Sequence, residues 1–501
     1  MIHRHITAGK TTLTKAFLLA GLCLPWLNPF SGGPSPSVLP WLVTLACAAF
    51  VLLWFKANEF FNPEMVALAW LVAAGLSSVM GLLQYFGGTA GLSPWVTATA
   101  VGEAYANLRQ RNQFASLTNI GLAALLWWAA QSRLRQPRVL RRTGMVAVSM
   151  LLAAGNAASS SRTGLLQLLL LGGLVWIWGG WRRPETRRLM SAAIVAYLVA
   201  ALALPAFLGL NLSEHGMWGR LSTGDPACNS RITLWRNVLH LISLHPWLGW
   251  GWGELDYAHF ITLYPGPRFC EILDNAHNLP LHLAVELGIP AALLMCGGLV
   301  WLVLRARPWL DTAPSRQLAW SVMAMILLHS MLEYPLWYGP FQLALGLCLG
   351  LLWPAPVNTR LQEDRYLETR RPVWQATLVG SLLLAAAYAA WDYRRISQIY
   401  FSPEQRSATY RDNTLERIRG SWLFTDQVRF AEFTLTPLNL GNALQLNAMA
   451  HELLHYSPEA RVVEKLIESA VLLGWDEEAK LYVTRYQAAY PESYRRWSSK
   501  N

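Results

Sequence analysis

Apolar residues recur along most of the chain in long runs, at about 17–30, 39–55, 65–86, 114–130, 144–159, 163–180, 189–209, 279–304, 318–333, 337–354 and 373–391. A helix that crosses the hydrocarbon of a bilayer needs ~20 predominantly apolar residues, so these runs predict about eleven transmembrane helices. No run alternates with the period of a strand, which points to an all-α polytopic protein. Two stretches break the pattern. The connection 210–276 is too long for an ordinary link and reads "HPWLGWGWGELDYAHF" near its middle; its aromatic density argues for a folded, functional loop over disorder. The tail 392–501 turns polar and amphipathic, "NAMAHELLHYSPEARVVEKLIESAVLLGWDEEAKLYVTRYQAAYPESYRRW", with breaks at Ser457-Pro458 and Tyr490-Pro491 that mark helix starts. The tail is expected to be a small soluble domain of antiparallel helix pairs resembling tetratricopeptide repeats. The domains are then 1–391, transmembrane with the loop 210–276, and 392–501, soluble and helical.

Composition agrees with a membrane location. Of 501 residues 53% are hydrophobic and 14% charged, outside the usual balance of soluble domains. The first run is not followed by a clean small-residue cleavage site, and it is read as retained. Lys and Arg decide orientation, because they stay on the cytoplasmic side of span ends. Arg4, Lys10 and Lys15 precede the first run; "QSRLRQPRVLRR", "WRRPETRR", "RARPWLDTAPSR" and "RLQEDRYLETRRP" follow the fourth, sixth, eighth and tenth. Every second connection is basic, which predicts the N-terminus inside and, with an odd number of spans, the C-terminus outside. The net charge of +11 is then a consequence of topology and calls for no nucleic-acid partner. Cys23, Cys47, Cys296 and Cys348 fall in predicted spans, whereas Cys228 and Cys270 share the external loop, where disulfides persist, and are expected to pair. No CxxC or HExxH spacing occurs, and no metal site is expected.

The same topology gathers the polar groups at one face: "NLRQRNQF" (107–114), "SSSRTG" (159–164), "CNSRITLWRN" (228–237), "DNAHNLPLHLAVELGIP" (274–290) and "HSMLEYPLWYGP" (329–340). Ionisable groups at the edge of a bilayer mark sites by default. Arg162 follows three serines at a helix start, which itself favours an anion, and Arg231 stands beside Asn229 and Ser230. Two guanidinium forks from different elements suit a diphosphate. Against that, Arg109 and Arg220 read as interfacial anchors, and His282, inside its run, reads as a packing residue. His277 stands at the boundary between Asp274-Asn275 and Asn278; a neutral imidazole there can take a proton from a hydroxyl while a carboxylate orients it.

In order along residues 100–350, "RQRNQFASLTNIGLAALLWW", "SSSRTGLLQLLLL", "DNAHNLPLHLAVELGIP" and "HSMLEYPLWYGPFQLALGL" resemble the bacterial pilin glycosylation ligases, protein O-oligosaccharyltransferases of the O-antigen ligase superfamily. "RNQFA" and "EYPLWY" favour that branch. The resemblance implies a C-type glycosyltransferase of the inner membrane, free of metal and cofactor. On its periplasmic side it would move a glycan from undecaprenyl diphosphate to a serine or threonine hydroxyl of pilin or another protein. It makes His277 the catalytic histidine, Tyr334 the tyrosine of "EYPLWY", and Gln110 or Gln113 the polar partner of the upstream motif. Arg162 and Arg231 would engage the diphosphate, with Asn112, Asp274, Asn278 and Glu333 in support. Displacing a diphosphate at an anomeric carbon needs its developing charge stabilised, and one displacement inverts that carbon. Two other readings follow from the same residues. An O-antigen ligase or polymerase shares the donor but has less use for a helical docking tail. A transporter of lipid-linked sugars would place charges at the midplane of several spans, whereas here they lie at one face.

Overall fold

The computed structural model describes residues 2–54, 61–131, 138–211, 216–222, 227–353 and 373–499. The basic connections at 132–137 and 354–372 lie outside the described residues. Among the described residues each apolar run is helical over most of its length, and no strand occurs. The first seven helices are α1 (Ile2–Leu27), α2 (Val38–Trp54), α3 (Pro63–Tyr85), α4 (Arg111–Gln131), α5 (Arg138–Ala158), α6 (Arg162–Ile177) and α7 (Pro184–Phe207). The long connection folds as α8 (Gly216–Ser222), α9 (Arg231–Leu244) and α10 (Leu255–Ile261). The chain then returns through α11 (Leu279–Leu287), α12 (Ile289–Ala306), α13 (Pro314–Ser330), α14 (Gly339–Leu352) and α15 (Val373–Ser397). By length and composition Pro63–Tyr85, Pro184–Phe207 and Ile289–Leu310 suffice to cross a membrane; Leu13–Leu27, Val38–Leu53, Arg162–Ile177 and Gly339–Leu352 are shorter apolar helices. The chain is a helical membrane protein.

The bundle core is built around Trp26, Trp70, Phe114 and Phe341. Its helices approach through small residues, as lipid-embedded helices do. A Cβ on Gly121 of α4 would collide with Ala74 of α3, and one on Gly164 of α6 would press on Ala115 of α4 at 2.5 Å. A buried polar layer crosses this core. Gln167 Nε2 donates to Ser116 Oγ (2.8 Å) and to the Met325 carbonyl (3.0 Å), Ser116 Oγ lies 2.9 Å from His329 Nδ1, and Asn119 Nδ2 donates to the Gly164 carbonyl (2.9 Å). It ties α4, α6 and α13 together.

One expectation is corrected. The run 279–304 is two helices, α11 and α12, parted at Gly288, whose φ of +87° suits glycine. A break in an apolar segment frees backbone groups that lipid cannot satisfy, and the glycine-tryptophan stretch of the loop satisfies them. Trp250 N donates to the Val285 carbonyl (2.9 Å), Gly251 N to the Glu286 carbonyl (3.0 Å), and Ile289 N to the Pro246 carbonyl (2.8 Å). Side chains at Gly249 and Gly288 would run into the opposing backbone.

The C-terminal region contains α16 (Thr414–Ile418), α17 (Thr425–Leu435), α18 (Ala443–Tyr456), α19 (Ala460–Leu472), α20 (Asp476–Ala489) and α21 (Pro491–Ser498). Its core includes Phe433, Leu446, Leu466 and Tyr486, together with Phe260 from α10 of the loop. Phe260 stacks against Tyr482 and Tyr490, His455 stacks on Tyr257 at 3.9 Å, and His455 Nδ1 lies 2.7 Å from Glu254 Oε2. The C-terminal helices are thus seated on the loop that walls the site described next.

Candidate active site

Helix starts converge on a cavity of about 820 Å³. Ser161 Oγ accepts from Gly164 N (3.0 Å) and caps α6, Ser230 Oγ accepts from Thr233 N (3.2 Å) and caps α9, and Asn278 Oδ1 accepts from Leu281 N (3.1 Å) and caps α11. These caps are the residues the sequence supplies just before each apolar run. Arg162 and Arg231 are therefore the first helical residues of α6 and α9, and His277 immediately precedes the cap of α11. The positive helix ends and the two guanidinium groups act together on the cavity, which suits an anion.

Glu333, only 8% exposed, is the hub. Its Oε1 accepts from Arg231 at 2.6 Å and from Asn112 Nδ2 at 3.3 Å; its Oε2 lies 2.7 Å from His277 Nδ1 and accepts from Gln110 Nε2 at 3.4 Å. Burial pushes the Glu333 carboxyl up, but the hydrogen bond and charge of His277, with the charges of Arg231 and His329, outweigh it and hold the group below the usual carboxylate range. An ionised carboxylate only accepts, so Nδ1 is the ring nitrogen of His277 that presents its N–H to Glu333. The backbone of His277 has φ +51°, an uncommon conformation for a side-chain-bearing residue. Its N–H donates to Asn275 Oδ1 at 2.8 Å, and Asn278 Nδ2 pins the turn after α13 through the Met331 carbonyl at 3.1 Å.

Tyr334 follows the hub, its ring 5.1 Å from the imidazole and edge-on. Burial pushes its phenol up, so it remains a donor. Asp274 lines the cavity, and burial raises its carboxyl. The carboxylate that reaches His277 is Glu333, 56 residues away, and not the neighbouring Asp274. Cys228 and Cys270 are joined in a disulfide that ties the start of α9 to the segment carrying Glu271 and Asp274.

Both glutamines line a cavity beside the arginine one, together with Tyr338, but of the two it is Gln110 that reaches Glu333, while Gln113 is 2% exposed. Arg109 donates to the Pro29 carbonyl at 2.8 Å. Arg220 departs from the anchor reading: it lines the arginine cavity, and its NH1 donates to the Ser160 carbonyl at 3.3 Å. Ser161, whose hydroxyl donates to Asn112 Oδ1 at 2.5 Å, was also not singled out in the sequence. The spacing of Asn112, Ser116 and Asn119 on one face of α4 is the signal that points to the polar layer. Among the described residues no group of three or more His, Cys, Asp or Glu is arranged to hold a metal ion.

Three family models match parts of the chain: protein glycosylation ligase over residues 104–129, O-antigen ligase over 147–296, and the C-terminal part of virulence factor membrane-bound polymerase over 317–501. Two proteins of Acinetobacter baylyi are similar. A general O-oligosaccharyltransferase is 23% identical over 305 residues, 59% of this chain and 51% of the relative. A ComP-specific O-oligosaccharyltransferase is 26% identical over 255 residues, 50% of this chain and 44% of the relative. The chain thus spans about half the length of the curated relatives it matches. No solved structure matches.

Proposed function

The chain belongs to the O-antigen ligase superfamily, and from that premise we propose that it is an O-oligosaccharyltransferase of the bacterial inner membrane. It transfers a glycan from undecaprenyl diphosphate to a serine or threonine hydroxyl of pilin or another periplasmic protein. The chain crosses the bilayer about eleven times, its N-terminus is cytoplasmic, and the cavity, the loop 210–276 and the tetratricopeptide-like tail face the periplasm. No cofactor takes part.

The observation that supports this reading best is the placement of one buried carboxylate between His277 (2.7 Å) and Arg231 (2.6 Å). It couples a base to an anion-binding group in a single cavity. The acceptor oxygen attacks the anomeric carbon, and its proton passes to His277 Nε2 while Glu333 stabilises the imidazolium. The bond from that carbon to the diphosphate oxygen breaks, and its electron pair leaves with the undecaprenyl diphosphate, whose charge Arg162, Arg231 and Arg220 stabilise. Tyr334 donates a hydrogen bond beside the imidazole. A polyprenyl chain stays in the bilayer while its diphosphate enters the cavity, which accounts for a titratable cluster at the point where α11 enters the bundle.

The polymerase and ligase matches favour a second reading, in which the same donor is used and the acceptor is a lipid A core or another glycan. Reconstitution in liposomes with a lipid-linked glycan separates the two. A glycan-bearing pilin that disappears with His277→Ala supports protein glycosylation, and glycan on a lipid A core or on a second lipid-linked glycan supports the other reading.

A further inference from the structure

The long loop carries a stretch whose composition the cavity does not explain. Between Arg236 and Glu254 no Lys, Arg, Asp or Glu occurs, and the middle of the stretch reads "HPWLGWGWG". Trp250 turns inward, its Nε1 donating to the Leu241 carbonyl at 3.0 Å. Trp247, Leu248 and Trp252 turn outward and are 75%, 85% and 69% exposed. Large apolar side chains grouped at a surface mark a place where something other than water is met.

The backbone fixes where that surface lies. Ile289 N donates to the Pro246 carbonyl (2.8 Å) and Trp250 N to the Val285 carbonyl (2.9 Å), and a Cβ at Gly288 would run into the Trp247 carbonyl and Leu248 N. Trp247 and Leu248 therefore stand at the first residue of α12. That helix has 18 residues and is about 27 Å long at 1.5 Å per residue, close to the ~30 Å of hydrocarbon in a bilayer. Its surface is apolar and open along its length, with Leu293 and Leu294 exposed toward the start and Trp301 and Leu302 toward the end, and Arg305 and Arg307 close it. A lipid-facing helix of this length that ends in arginines at one boundary begins at the other. Its start is thus at the lipid–water boundary on the side of the cavity, where an indole ring, apolar with one polar edge, is favoured.

We infer that Trp247, Leu248 and Trp252 are seated in the bilayer leaflet on that side, so that this part of the loop is immersed in the membrane interface. Lipid, and not a partner protein, is the occupant because the exposed turn continues directly into the lipid-facing start of α12, with no charged residue in the turn or in Ile289–Leu304. The seat bears on the site. Trp235 Nε1 donates to the Ala276 carbonyl at 3.1 Å, which ties α9, with Arg231 at its start, to the turn that carries His277. Tryptophan turn, α9 and α11 are then one unit, and the depth of the turn in the leaflet sets the height of the cavity above the lipid. The inference rests on the membrane location of the chain and not on the transferase reading.

The test is photocrosslinking of the full-length protein in phospholipid liposomes, with p-benzoylphenylalanine placed in turn at Leu248, Trp252, Leu294 and Asp412. Leu294, 78% exposed in α12, is the reference for lipid, and Asp412, exposed in the C-terminal region, measures the background of lipid capture at a polar position. All four side chains are exposed, so the replacements leave the packing alone, and a Tm equal to that of the parent confirms it for each. The peptides that carry positions 248 and 252 are expected to gain the mass of one phospholipid, joined through its acyl chain, in a yield near that at 294. The inference is overturned if the yield at either loop position does not exceed that at 412, or if the adduct there is with protein, a second copy of the chain included. No turnover is read, so a failed transfer assay and a failed lipid seat are separate results.

Discussion

Replacing Glu333 by Gln tests how much of the site depends on one charge. The substitution keeps the shape but removes the carboxylate that meets Arg231 at 2.6 Å and His277 at 2.7 Å. Each charge-assisted hydrogen bond contributes about 1.5–3 kcal/mol. Allowing for the exposure of Arg231, the loss of stability should be about 2–4 kcal/mol. The effect on rate should be larger in proportion, because an amide can donate to Nδ1 and so favour the wrong imidazole tautomer, while the imidazolium loses its counter-charge. General acid–base catalysis contributes about 10²–10⁴-fold, and kcat should fall within that range with a smaller change in KM for the acceptor. Glycan transfer from lipid-linked donor to purified acceptor, quantified by mass spectrometry over a range of both substrates, reads this. The sign of the pH effect follows from the depressed carboxyl of Glu333. Its stabilising contribution is present above the unfolded carboxylate range and is lost as pH falls through the lower folded value. The Tm gap between parent and variant should therefore be constant above the ordinary carboxylate range and narrow progressively as pH falls below it. A kcat within about threefold of the parent, under 1 kcal/mol of barrier, would sink the idea that Glu333 orients the base.

Three further outcomes are expected. Arg162→Lys should lower kcat/KM for the donor about 10–100-fold, because an ammonium lacks the bidentate fork; unchanged steady-state kinetics would assign Arg162 to anchoring. Asp256, 9% exposed in α10, has its carboxyl raised to about 7 chiefly by burial, with Glu254 and Asp274 adding to it. Its ionisation opposes folding as pH rises from the ordinary range toward 7, so Asp256→Asn should raise stability by up to about 4 kcal/mol at pH 8 and by nothing near pH 3.5, read as Tm against pH. Equal Tm gains at both pH values would contradict this. Phe260→Ala should cost about 3–5 kcal/mol of the docking between the loop and the C-terminal helices, visible as faster amide exchange across Ala443–Ala489; unchanged exchange would mean that those helices hold without the loop.

The bundle helices were legible because each carries an apolar run long enough to stand out, whereas the caps Ser161, Ser230 and Asn278 that start the helices of the site emerged only from the structure. The break at Gly288 was not legible either. Gly288 and Pro290 sit inside a continuous apolar stretch, and what stabilises the break is backbone from Pro246, Trp250 and Gly251, 35 to 43 residues from their partners. Grouping of Arg162, Arg231, His277 and Glu333 on one side followed from topology, since alternating basic connections send all four motifs to the same face. Pairings within the group did not follow, because sequence neighbourhood favours Asp274 as the partner of His277 whereas the turn after α13 delivers Glu333. Arg220 was misread for a similar reason. A lone arginine in a loop resembles an anchor until the turn at Ser160 is folded against it.

Whether this protein glycosylates protein at all is decided by cells that carry it together with a lipid-linked glycan pathway and a candidate pilin. The intact mass of the pilin is measured beside lipopolysaccharide gels. A glycan-sized gain on the pilin, absent with His277→Ala while the variant still inserts in the membrane, is the expected result. An unchanged pilin mass with O-antigen added to lipopolysaccharide would place the acceptor among lipids and leave the tail without its proposed docking role.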